Sequence, residues 1–287
     1  MASLGIMATT FVRPTLDAVL DAAVSSGAHD LQFDLACAGE PTLPTHIDAA
    51  LCDHIRHAFT TRHLTMAALS GTFNMIHQDP QQRAAGLVGL RTVLTACGML
   101  GVAIVTLCTG TRDAAHMWRR HPDNDTSEAW ADLTACLSDA VRAAEEHGVT
   151  LAFEPEVANV VDSARKARRL LDEIASPRLK VVMDPANIFH RGELPQMDRM
   201  LEDAFDLLGR DIALAHAKDL DHDGEAGHLP AGRGVLDYPR YLTLLQHSDF
   251  TGAVVLHGLE ESDVPSCVRF VRDAAPPGWW SDTAAGG

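Results

Sequence analysis

The stretches LAFEPE (151–156), VVMDPAN (181–187), ALAHAKD (213–219) and VVLHGLE (254–260) share one pattern: an apolar run that ends on a residue able to hold a metal or move a proton. Each run has the length and aliphatic content of a strand buried on both faces. If these strands lie parallel, the residues that end them gather at one mouth. Glu154, Asp184, His216 and His257 would then meet, and two carboxylates with two imidazoles form a donor set for a divalent cation.

The pattern extends to both ends of the chain. Further apolar runs at 4–8, 30–35, 64–69 and 103–108 bring the strand candidates to eight, with 150–154, 179–183, 212–216 and 253–257 as the later four. Segments of helical periodicity alternate with them, such as 15–26, 127–147, 163–175 and 238–247, several opened by a capping Ser, Thr or Asp. Parallel strands need crossover helices, and eight such units are what a (β/α)8 TIM barrel of the α/β class requires. An open doubly wound sheet competes, but the first turn reads ATTFVRP (8–14) with no GxGxxG, and no Walker-type loop occurs. With 287 residues, 46% of them hydrophobic, the chain fits a single barrel domain over 1–275. Periodicity is lost in 276–287, which reads as a tail able to pack Trp279 and Trp280 on the barrel or at a homo-oligomer interface.

A formal charge of −16 would repel a phosphate backbone, so nucleic acid is not an expected partner. The basic cluster SARKARR (163–169) has helical spacing and reads as a solvated face. Six cysteines lie scattered without a CxxC pair, and MASLGIMATTF lacks the basic-then-apolar order of a secretory leader. Reduced thiols and a cytoplasmic location are the expectation. No uninterrupted apolar run approaches the roughly 18 residues of a membrane span.

Strand parity sharpens the site. Glu154 and Glu156 share one side of the fifth strand, so one carboxylate can bind metal while the other meets substrate. Asp184 is held extended by Pro185, although a helix N-cap is an alternative use for it, and Asn187 follows as a donor to a substrate hydroxyl. His216 and Lys218 share parity, with Asp219 placed to orient the imidazole. After the third and fourth strands, Asn74, His77, Thr109, Thr111, Arg112, Trp118 and His121 read as a substrate clamp whose turns use Gly71 and Gly110. Surface ion pairing of Arg112 and packing of Trp118 under a loop are the alternatives. LPAGRGVLDY (229–238) forms another loop at the mouth and carries Arg233 toward substrate.

Over essentially its whole length the chain resembles the sugar phosphate isomerase/epimerase group of xylose-isomerase-like TIM barrels. The phrases that carry the resemblance are FEPE, MDPAN, AHAKD with GRGVLDY, and VVLHGLE. It implies a divalent metal, Mn2+ first and otherwise Mg2+, Co2+ or Zn2+, on an open site that handles a keto-sugar or polyol. The expected ligands Glu, Asp and His map onto Glu154, Asp184 and His216. His257 stands where a final glutamate is expected, with Glu260 three residues on, and Asn187 stands where many relatives carry a histidine. Those changes bear on the usual two-carboxylate proton shuttle, so the acid–base candidates are Glu154, Glu156 and His257. The expected activity is isomerisation or epimerisation by proton transfer next to a metal-polarised carbonyl. A lyase or dehydratase, a carbon-glycoside-cleaving relative, and a non-catalytic sugar-binding barrel are the competing readings, and metal-dependent phosphodiester cleavage is disfavoured by the charge.

Overall fold

The computed structural model describes residues 1–281, so 282–287 of the expected tail lie outside the described residues. Strands β1 (Ser3–Met7), β2 (Asp30–Phe33), β3 (Thr65–Ser70), β4 (Ile104–Cys108), β5 (Thr150–Glu154), β6 (Leu179–Met183), β7 (Ile212–Asp219) and β9 (Ala253–Leu256) pair in parallel in that order. β9 pairs back onto β1, Leu4 against Val254 and Ile6 against Leu256, which closes the barrel and leaves no edge. Around it run α1 (Leu16–Ser25), α2 (Ala49–Thr61), α3 (Pro80–Leu100), α4 (Ser127–His147), α5 (Ala164–Ile174), α6 (Met197–Leu208), α7 (Tyr238–His247) and α8 (Val264–Ala274). The side chains of Thr15, Asp48, Asp79, Thr126, Ser163 and Asp237 accept from backbone N–H groups one turn into their helices, which satisfies donors the helix itself leaves free.

Alternation along the strands sorts the core into two shells. Ala152, Val182, Leu214 and Val255 fill the barrel interior. Their neighbours Leu151, Phe153, Val181, Met183, Ala215 and Val254 face the helices. A residue two places after an interior one must also point inward, which selects Glu154, Asp184, His216 and His257.

β7 runs three residues beyond its expected end at His216, because a two-residue strand, β8 (Leu229–Pro230), pairs antiparallel with Lys218 and Asp219. Asp219 anchors the loop between them rather than orienting His216 as expected. Its carboxylate accepts from Leu220 N, Gly232 N and Leu236 N at 2.9, 3.0 and 3.0 Å. The loop wraps so tightly that a Cβ on Gly234 would collide with the Leu220 carbonyl and the Asp219 carboxylate.

α3 is long and apolar enough to cross a membrane by length and composition, which no uninterrupted run had indicated. It packs between α2 and α4 in the barrel wall. Before the end of the described chain, Trp280 bridges to Ala2, and Trp279 is buried in the core with its ring centroid 4.8 Å from that of Trp280.

Both tyrosines of the chain sit on α7 and latch the strand ends that carry the site. Tyr241 donates to His216 O at 3.0 Å and approaches Met183 O at 3.3 Å, and Tyr238 donates to Lys218 O at 2.8 Å. Replacing Tyr241 by Phe removes the hydroxyl and keeps the ring. Urea denaturation is expected to show a loss of about 1–2 kcal/mol, and an unchanged midpoint would contradict the latch.

Candidate metal centre and substrate basin

Pro185 and Ala186 start a 3-10 turn directly after β6, and Asp184 caps it by accepting from Ala186 N at 3.1 Å through Oδ1. The capping and metal-binding readings of this aspartate are therefore compatible, since each uses a different oxygen. Oδ2 is buried, faces the barrel axis and has no hydrogen-bond partner among the described residues. Lys218 Nζ approaches it to 3.2 Å.

His216 is gripped from below. Its Nε2 lies 2.8 Å from Gln32 Oε1, and Gln32 Nε2 donates to Thr106 Oγ1 at 3.1 Å. A carbonyl oxygen can only accept, so Nε2 carries a proton and Nδ1 points the other way. It points at Glu154 Oε1, 3.3 Å away, and Asp184 Oδ2, 3.8 Å away. A lone pair set against two carboxylates is repulsive unless a cation or a proton lies between them. His257 stands edge-on to His216 with ring centroids 4.9 Å apart, and its buried Nδ1 also lacks a partner. Donor atoms of Asp184, His216 and His257 all fall within 4.8 Å of one another. Asp184 Oδ2, His216 Nδ1 and the unpartnered His257 Nδ1, crowded together in this way, fit a divalent cation, with Glu154 as the fourth ligand.

The electrostatics follow from burial and crowding. Burial alone would raise Glu154, but contact with the His216 ring and the charge of Lys218 outweigh it and hold the carboxyl well below its usual range. Burial lowers His257 well below the ordinary histidine value, helped by Lys218 and His216, so the ring stays neutral. Glu156 is pushed up to about 8, first by burial and then by the charge of Glu154. Lys218 loses some basicity to burial, yet Asp184, Glu154 and Glu156 more than restore it.

Above this centre an inner chamber of about 290 Å³ is lined by Gln32, Thr42, Ser70, Thr72, Thr106 and Trp118, together with Glu154, His216 and His257. It opens into a basin of about 780 Å³ that shares Trp118, Glu154 and His257 and adds Glu156, Lys218, His116, Arg119, Arg120 and the turn Gly224–Ala226. These volumes are in the range of small-molecule sites.

The structure brings Glu154, Glu156, Asp184, His216, Lys218 and His257 together, with Trp118, 45% exposed, as a wall. Other expected substrate contacts lie elsewhere. Arg112 is buried beneath the loop, donating to Ile76 O at 2.9 Å and pairing with Asp132 at 2.8 Å. Asn74 ties that loop together through Thr111, and the His77 ring accepts from Asp79 N at the start of α3. Arg233 is exposed beside Asp263 at 3.8 Å. Asn74, His77, Arg112 and Arg233 are absent from the lining of both chambers. Asn187 is committed to Glu154 Oε1 at 2.6 Å and to Gly227 N at 2.8 Å, so it positions the carboxylate rather than meeting substrate. Gln32 was not singled out from the sequence. An amide inside the apolar run DLQF, at the parity of the barrel interior, was the available signal.

A closed parallel barrel with carboxylates and imidazoles converging at the C-terminal strand ends is a TIM barrel whose candidate site lies where that fold keeps its active sites. The sequence matches the xylose isomerase-like TIM barrel family over residues 20–281, and the chain belongs to that family. No curated protein matches it. Among solved structures, the apo 3-keto-D-glucoside 4-epimerase of E. coli superposes with a TM-score of 0.71 at 16% identity, covering 95% of this chain and 100% of that one. D-allulose 3-epimerase from Methylomonas sp., in complex with D-allulose, gives 0.70 at 16% identity, covering 95% and 97%. The IOLI protein with a zinc atom gives 0.71 at 18% identity, covering 95% and 96%. At these identities the likeness shows the fold.

One wall of the basin rests on Asp162. This buried carboxylate meets Lys166 Nζ at 2.9 Å and Arg120 at 3.1 Å, with His190 Nε2 at 3.8 Å. Burial would raise its pKa, but His190 and Lys166 hold it well below the usual range, and Asp162 in turn raises His190. The depressed carboxyl contributes stability that is present above its unfolded value near 4 and lost as pH falls through the folded one. The raised imidazole contributes stability that is present below about 6.5 and lost as pH rises through its folded value. Asp162→Asn is therefore expected to cost most near pH 5–6, on the order of 1–3 kcal/mol, with a smaller deficit in strong acid and above neutrality. A deficit independent of pH would contradict the assignment.

Proposed function

We propose that the protein is a divalent-metal-dependent isomerase or epimerase of a keto-sugar or related polyol. The observation that carries this reading is the convergence of His216 Nδ1, Glu154 and Asp184 Oδ2 beside the unpartnered His257 Nδ1, with donor atoms of Asp184, His216 and His257 within 4.8 Å of one another. Glu154, Asp184, His216 and His257 would hold the ion. Two imidazoles among four donors suit Mn2+, Co2+ or Zn2+ better than the oxygen shell favoured by Mg2+. A bound divalent ion supplies charge that polarises a carbonyl oxygen and raises the acidity of the adjacent C–H.

The chain's own groups supply the rest. Glu154, at the end of β5, and Glu156, two residues beyond it, share the basin with Lys218, so a carbon lodged there has carboxyl groups for proton transfer and a buried ammonium beside it. His257 replaces the second carboxylate of the usual pair with a neutral imidazole, which can accept or return a proton where it is not bound to the ion. Hydroxyl and amide groups of Gln32, Thr42, Ser70, Thr72 and Thr106 line the inner chamber as hydrogen-bond partners for sugar hydroxyls. Sugar epimerases among the structural neighbours support the substrate class, and six free thiols fit a cytoplasmic setting.

Glu154→Gln and His216→Ala are each expected to lower bound metal at least tenfold by elemental analysis, and to lower turnover on a ketose panel at least a hundredfold. Full retention of both metal and turnover in both variants would refute the reading. Gln32→Leu is expected to weaken metal binding about 10–100-fold while the melting curve stays cooperative, because only the grip on His216 is lost. Turnover in D2O should place deuterium on the carbon next to the carbonyl of an isomeric product. Loss of water from the product would instead identify a dehydratase.

A further inference from the structure

Resting on the sugar-converting reading above, we propose that this site accepts an uncharged sugar and excludes its phosphate ester, because every guanidinium and ammonium that lines the chambers among the described residues is already paired with a carboxylate. Phosphate recognition needs a free guanidinium fork, a free ammonium or an open helix N-terminus. Among the described residues lining the chambers, the lysines and arginines are Arg119, Arg120 and Lys218.

Arg119 spends both arms of its fork on Asp113, at 2.6 and 2.9 Å, and Asp113 is itself pinned by accepting from Ala115 N and His116 N. Arg120 is divided between Asp125 at 2.6 Å, Asp162 at 3.1 Å and Val157 O at 3.0 Å. Lys218 faces Asp184. Against these three stand Glu154 and Glu225 in the basin and Asp34 in the inner chamber.

The place where barrels of this type commonly hold phosphate, around the loops after the last two strands, is acidic here. The 3-10 turn that follows β9 carries Glu261 and Asp263 in its first turn, with Glu260 before it. Arg13 nearby is engaged by Glu261 at 2.7 Å. The adjoining cavity, lined by Thr9, Thr10, His228, Gly258, Glu260 and Asp263 among others, contains no lysine or arginine among the described residues. A phosphate dianion entering any of the three cavities would lose its hydration without meeting a free lysine or arginine among the described lining residues. A neutral ring gains hydroxyl and amide contacts in the inner chamber, and exposed Trp118 offers a flat apolar wall where that chamber meets the basin.

Calorimetry on the metal-loaded protein tests this with D-allulose and D-fructose, their 6-phosphates, and inorganic phosphate alone to measure direct capture of phosphate by the ion. A neutral ketose is expected to bind at least tenfold more tightly than its 6-phosphate. Asp113→Asn keeps an acceptor for the two backbone N–H groups but frees Arg119. It is expected to tighten the 6-phosphate several-fold and leave the neutral sugar unchanged. A 6-phosphate that binds wild type as tightly as the neutral ketose would overturn the inference while leaving the isomerase reading in place. An Asp113→Asn variant with unaltered phosphate affinity would also overturn it. Metal binding without binding of any sugar would reject the sugar-converting reading, and this inference with it.

Discussion

The site is organised around one crowding of polar groups: an imidazole nitrogen and two carboxylates brought within 4 Å in the buried end of a barrel, where a neutral ring and two charged carboxylates would repel. The fold creates the conflict and supplies the grip that maintains it. Gln32 holds the far nitrogen of His216, Asn187 holds Glu154 and the cap to Ala186 holds one oxygen of Asp184. The first and last of these contacts leave His216 Nδ1 and Asp184 Oδ2 facing the axis, while Asn187 shares the Glu154 oxygen that faces His216. A cation at that point turns repulsion into attraction, and Lys218 already supplies part of the compensation from the side.

Rigidity at the centre is inherited from its surroundings. The two tyrosines of α7 bond to backbone carbonyls of the strands that carry Asp184, His216 and Lys218, so the helix layer reaches through to the metal centre. Asp219, the residue after Lys218 and the last of β7, collects three N–H groups from the 220–236 loop and sets the turn that rims the basin. Stable sites are commonly built this way, with ligands on strands and variable contacts on loops.

How much of this could be read in advance depended on whether the controlling physics was local. Strand parity is local, and it placed Glu154, Asp184, His216 and His257 on the interior face, since each follows an interior residue by two positions. The roles of Asn74, Arg112 and Asn187 were set by partners 33 to 37 positions away, which composition and spacing do not reveal. Arg112 is the clearest case. Its sequence context suits a substrate clamp, yet the loop folds over it and gives it Asp132 and the Ile76 carbonyl as partners. Asp219 differs for a related reason, because the tight glycine loop that consumes its oxygens forms only when Leu229 and Pro230 pair with the end of β7.

The most direct measurement is an anomalous-scattering map from a crystal of the protein loaded with Mn2+ or Zn2+. The account predicts one strong peak about 2.0–2.2 Å from Glu154, Asp184 Oδ2, His216 Nδ1 and His257 Nδ1. A map with no peak between these four residues, or with metal only at the exposed Asp221, His222 and His228 cluster, would contradict it.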